Sequence, residues 1–210
     1  MGAVAQAGFG PRAMTAPAGP SCSLDTTIYA VHVARERVGQ LDLDALTKAS
    51  SNAGDFEKAL ATMGAVAPMY RFNGSVRLSG DSIIIGGRLP YVTNTSVSST
   101  GRTVNSVSYS DIGARLGVAG KLTGNGRIEL DMNIDLSGIS AGGVPISPTV
   151  NAPIFRSTTL VHKGIVQAQQ PFIIVGVDAS TPDSEGRAIA YIAKVTLGTP
   201  QVMQDSAAGN

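Results

Sequence analysis

The side chains best spaced to do chemistry lie in residues 114–136, ARLGVAGKL-TGNG-RIELDMNIDL. There Arg127, Glu129, Asp131, Asn133 and Asp135 alternate with Ile128, Leu130, Met132, Ile134 and Leu136. A period of two belongs to a strand with one apolar and one strongly polar face. Glu129, Asp131 and Asp135 on one face are oxygen ligands of the kind calcium takes. The preceding segment puts Arg115 and Lys121 on one side and Leu116, Val118 and Leu122 on the other. With Gly124-Asn125-Gly126 as a three-residue loop, Thr123 faces Arg127, Lys121 faces Glu129, Arg115 faces Asp135 and Val118 faces Met132. Cations across the hairpin then neutralise the acids, a simpler reading than a metal site. A two-residue loop would set polar against apolar groups along the whole hairpin, so the pattern selects its register. One wet face suits a water-filled barrel or an ordinary half-buried antiparallel sheet.

Other candidates carry less. His32 and His162 sit in no metal-ligand spacing such as H-E-x-x-H. His32 reads as a structural imidazole among small residues, and His162 as a solvated one before the Lys163-Gly164 turn. The single cysteine, Cys22, excludes an intrachain disulfide and a cysteine-based zinc site, and reads as a plain thiol near a flexible tail. The glycines of 138–143 lack the strand-then-helix setting of a phosphate loop. No catalytic, cofactor-binding or metal site emerges, and the expectation is a protein that is not an enzyme and needs no cofactor.

The elements that position these residues are mostly strands. Among 210 residues there are 25 glycines, no Trp and few aromatics, which suits many short strands and turns. The formal net charge of +1 supplies no field for nucleic acid, and none is expected as a partner. Residues 1–23 read as a disordered arm without the continuous apolar stretch of a secretory signal. Residues 24–197 read as one β domain and 198–210 as a flexible tail. No uninterrupted apolar run of roughly 18 residues occurs, a test that barrel strands escape.

A first strand is expected over 26–38, then a helical turn over 42–48 and a helix from Asp55 to Gly64. Further strands are expected near 69–78, 81–92, 103–109, 112–122, 127–137, 154–163, 171–179 and 187–197. Residues 93–102 read as a polar loop, and 138–153 as a long Gly- and Pro-interrupted connection. Gly86-Gly87 followed by Pro90-Tyr91 reads as a bend, since adjacent glycines and a proline weaken a strand.

Motif order adds a resemblance. SIIIGGRLPYV at 82–92 is followed by VSYSDIGARL at 107–116, GRIELDMNIDLSGIS at 126–140, PIFRSTTLV at 153–161 and PFIIVGV at 171–177. This succession resembles the C-terminal channel domain of bacterial secretins, the family of type II and type III secretion, type IV pili and filamentous phage export. TTIYAVHVARERVGQLDLDAL, from Thr26, resembles the strand that opens that domain, so the match spans roughly 26–197. The resemblance implies a minimal or divergent member that is mainly β with one or two short N-terminal helices. Its amphipathic antiparallel strands would form a multi-subunit, double-layered barrel, one large homo-oligomeric ring in the cell outer membrane. It would be a gated pore exporting a protein, a pilus or a filamentous phage, with separate periplasmic or pilotin-type proteins as further partners. Gly86, Gly87, Pro90 and Tyr91 would form the gate and bend with 93–102 as gate loop. Arg115, Lys121, Glu129, Asp131 and Asp135 would be the polar channel face, and 138–153 a membrane-facing lip. The chain departs from the family by lacking the terminal V-P-x-L-G-x-I-P motif; DASTPDSEGRAIAYIAKVTLGTP stands there instead. That departure favours the alternative, a non-conducting soluble β-rich structural or adaptor protein with a secretin-like fold.

Overall fold

The computed structural model describes residues 19–97, 99–147, 150–178 and 186–201. The chain runs β1 (Ser21–Val33), a 3-10 turn (Arg35–Gln40), α1 (Leu43–Ala49), α2 (Ala53–Met63), β2 (Ala65–Arg77), β3 (Asp81–Val97), β4 (Thr103–Gly124), β5 (Arg127–Ser147), β6 (Val150–Gln167), β7 (Phe172–Asp178) and β8 (Ala188–Leu197). Two four-stranded antiparallel sheets result, one ordered β2-β1-β8-β7 and the other β3-β4-β5-β6. Both helices start on side-chain caps: Asp42 accepts from the amide of Ala45, and Asn52 from those of Gly54 and Asp55.

The sheets pack face to face through the apolar positions of the alternating pattern. Leu116, Val118, Ile128, Leu130, Met132, Ile134, Leu136 and Leu160 of the long sheet meet Leu24, Ile28, Ala193, Val195 and Leu197 of the short one. Full burial of each large side chain is worth about 1.5–3 kcal/mol. The other face of the short sheet is covered by helices at one end, where Tyr29, Val31, Val33, Ala190 and Ile192 pack against Leu46, Phe56 and Leu60. β1 and β8 are thus buried on both faces, which is why TTIYAVHV and AIAYIAKV read as nearly continuous apolar runs.

Register follows the expected pairing. Lys121 lies opposite Glu129, Arg115 opposite Asp135 and Val118 opposite Met132. The turn differs: Asn125 (φ 51) and Gly126 (φ 70) form a two-residue turn, and the ladder slips between Leu122 and Gly124. Both residues at positive φ are the signature of a primed hairpin turn. A bulge at Thr123 restores the parity that a two-residue loop would have broken.

Several expectations are corrected. The sheets are open: among the described residues β2 and β7 pair on one side only in the first sheet, and β3 and β6 in the second. The chain therefore does not form a barrel; its two layers are sheets of one chain stacked on each other. Residues 138–153 are not a connection, because β5 continues to Ser147 and β6 begins at Val150. The polar segment 93–102 belongs to β3 as far as Val97, while β4 begins at Thr103 as expected. At the N-terminus β1 begins five residues earlier than expected and gives way to the 3-10 turn at Arg35. No described helix is long and apolar enough to cross a membrane.

His162 is placed inside rather than in solvent. It lies on the inner face of β6 opposite Met132, with its ring 4.9 Å from that of Phe172 on β7. Its Nε2 is buried without a hydrogen-bond partner, and burial lowers its pKa. On acidification the unfolded chain binds this proton first. The neutral ring's contribution is complete above the unfolded value, near 6.5, and is lost as pH falls through the lower folded value. The urea midpoint should therefore drop between about pH 7.5 and about pH 5, and His162→Phe should flatten that part of the profile. Parallel profiles for the two proteins would show that another group governs the acid limb.

Candidate functional site

The polar positions of β4 and β5 lie on the outer face of the long sheet. Arg115, Lys121, Glu129 and Asp131 are exposed there and Asp135 is half-buried. Residues facing each other across the hairpin form no ion pair: neither Lys121 with Glu129 nor Arg115 with Asp135, and Asp131 and Asp135 find partners on β6 instead. Lys163 Nζ lies 2.9 Å from Asp131, and Thr159 donates to Asp135 at 2.8 Å. Arg115 donates from Nε to the Ser82 hydroxyl at 3.3 Å. Among the described residues no three Asp, Glu, His or Cys side chains converge as a metal site. The alternation of VHKGI placed Lys163 between Val161 and Ile165, a signal that could have located it on this face.

Gly86, Gly87, Pro90 and Tyr91 all lie on β3, an edge strand, where a proline's missing donor is tolerated. β3 stays paired with β4 through both glycines, and its ladder slips between Val92 and Asn94. Gly86 lies opposite Gly113, whose φ is +131°. A Cβ on Gly86 would strike the Ile112 carbonyl, and one on Gly113 the Ile85 carbonyl. Gly87 has open space around it. The two backbones can approach this closely only because neither residue of the pair has a side chain. The missing side chains leave a notch of about 420 Å³, bordered by Arg88, Asp111 and Arg115. Arg88 Nε and Asp111 stand 3.0 Å apart across it.

Beyond the notch the four strands continue as a ribbon that leaves the core. Buried positions of the long sheet stop at Gly113, Leu136 and Leu160 among the described residues. In 89–110 and 136–155 the only charged residue is Arg102. Val104 and Val107 are each 52% exposed, Tyr109 61% and Val144 56%. The edge strands β3 and β6 touch through Tyr91 and Phe155, whose rings are 5.0 Å apart, without a hydrogen-bonded ladder between them. Nine residues from Leu89 to Val97 extend about 30 Å at 3.3 Å each.

No family model matches the chain, and no curated protein matches it. Solved structures do. The ETEC pilotin–secretin AspS–GspD complex matches at 9% identity and TM-score 0.40, over 90% of this chain and 50% of that one. The Klebsiella pneumoniae type II secretion system outer membrane complex matches at 10% and 0.41, over 89% and 41%. The Salmonella SPI-1 type III secretion injectisome secretin InvG matches at 9% and 0.37, over 90% and 64%. The chain spans about half the length of the first of these.

The glycine pair yields a contrast. Gly113→Ala should destabilise by about 1–3 kcal/mol, through strain at positive φ and collision with a carbonyl. Gly87→Ala should stay within about 0.5 kcal/mol. Urea unfolding of the two variants measures both; equal effects would mean that the backbones are not in close approach.

Proposed function

We propose that the protein is a non-conducting β-rich structural or adaptor protein with a secretin-like fold, which docks partner strands along the open edges of its ribbon. The observation that carries this reading is the four-stranded ribbon, nearly free of charge, with both long edges unclosed. An unpaired edge presents a row of backbone donors and acceptors, a template on which an extended segment adds as a further strand. Lys, which natural edges use to discourage such pairing, is missing from both halves of the ribbon. The charged outer face of the base, with Arg115, Lys121, Glu129, Asp131 and Asp135, stays in water. Gly86, Gly87, Pro90 and Tyr91 then form the root from which the ribbon leaves the base.

The order of sequence motifs supports a place at the outer membrane, and the ribbon's extent of about 30 Å is that of a bilayer's hydrocarbon core. An open ribbon in lipid would leave the edge amides of β3 and β6 unsatisfied, at several kcal/mol each. Contact with hydrocarbon therefore requires partner strands on both edges.

Sedimentation in mild detergent and conductance in planar bilayers test the reading together. The expected result is a monomer or small oligomer that adds no conductance. Stable rings that conduct would overturn it in favour of an exporting channel.

A further inference from the structure

The helices leave part of the short sheet's outer face uncovered, and a second cleft lies there. It measures about 420 Å³ and is bounded by α2 on one side and by β1, β2 and β8 beneath. Register places its polar groups. Arg71, Thr27 and Lys194 form one row across three adjacent strands, and Asp25 and Thr196 lie in the next. Glu57 projects into the cleft from α2, and Tyr29 forms part of its wall.

One of these groups is only loosely paired, and another has no ion-pair partner. Asp25 Oδ1 receives no hydrogen bond, and its nearest cation, Arg71 Nε, stands 3.9 Å away. That distance is too long for a hydrogen bond. Lys194 has no carboxylate within ion-pair distance among the described residues, and its Nζ rests 5.2 Å from the centre of the Phe56 ring. A carboxylate held at the limit of ion-pair distance and an ammonium without a carboxylate thus share a single cleft. They are diagonal neighbours across β1 and β8, a spacing of about 7–8 Å. Arg71 flanks Thr27 on the side opposite Lys194, so two cations can converge over that hydroxyl.

We propose that this cleft binds a zwitterion, with its ammonium on Asp25 and Glu57 and its oxyanion on Lys194 and Arg71. A lone anion would face the two acids, and a lone cation the two bases. A molecule carrying both charges a few bonds apart satisfies both pairs. A free amino-phosphate compound and the headgroup of an aminophospholipid share this chemistry.

Titration of the full chain with O-phosphoethanolamine, followed by calorimetry or amide shifts, tests the site against ethanolamine and inorganic phosphate. The zwitterion should bind about tenfold more tightly than either half, because it makes one more charge-assisted hydrogen bond than they do. Asp25→Asn and Lys194→Met should each weaken binding about tenfold. If Asp25→Asn fails to fold, Glu57→Gln on the exposed face of α2 replaces it. Vesicles of phosphatidylethanolamine separate the sources: capture that Lys194→Met abolishes assigns the headgroup, and binding of the free compound without capture assigns a soluble zwitterion. Absence of saturable binding, or affinity unchanged in both variants, overturns the proposal.

Discussion

The contact between the two sheets is the constraint from which most of this molecule follows. Leu130, Met132 and Ile134 on β5 and Leu116 and Val118 on β4 have no other place to bury than against β1 and β8. Side chains alternate along a strand, so a slip of one residue would turn this whole set to water and bring Glu129, Asp131 and Asp135 inside. An uncompensated carboxylate between the sheets costs far more than any turn can recover. The hairpin accordingly keeps its parity and accommodates the Asn125-Gly126 turn with a bulge at Thr123.

Where that contact ends, the character of the chain changes. The base is two layers plus helices, with its charged residues on the outside. Among the described residues the ribbon beyond Gly86 and Gly113 has no second layer, and its strands hold together through ladder hydrogen bonds, cross-strand pairs and the Tyr91–Phe155 contact between its edges. Alternation lapses there because neither face must be buried within the chain. Ser, Thr, Gly and isolated apolar residues on both faces suit a surface that another chain covers. The glycine pair marks the boundary, a place where two backbones come too close for any side chain.

The short sheet follows the same rule on its other face. α1 and α2 cover the end that carries Tyr29, Val31 and Ile192, and polar residues take over where the helices stop. Asp25, Thr27, Arg71 and Lys194 form no motif in the sequence, where they are spread over three distant segments. Only the antiparallel ladders bring them into adjacent rows.

Much of the fold was legible in the residues themselves: a mainly β chain, two short helices near the N-terminus, and the β4–β5 register as far as Leu122, though not the turn or the capping residues. Those features depend on local chemistry, since period, caps and turn residues act over a few positions. The same pattern located the five charged residues of the outer face, but not Lys163 as the partner of Asp131, because β6 lies some thirty positions away. Segment 138–153 looked like a loop because Gly and Pro interrupt it without a period; pairing with its neighbour makes it strand. His162 looked solvated beside Lys163 and Gly164, yet the packing of β6 on β7 buries it against Phe172. The double-layered barrel was an inference about neighbours, and the chain resolves its layers internally by stacking two open sheets. Sequence alone determined what each strand's faces are made of. Tertiary structure decided which faces meet and which edges stay open, because sheet order and layer packing are set by contacts between segments that no local period encodes.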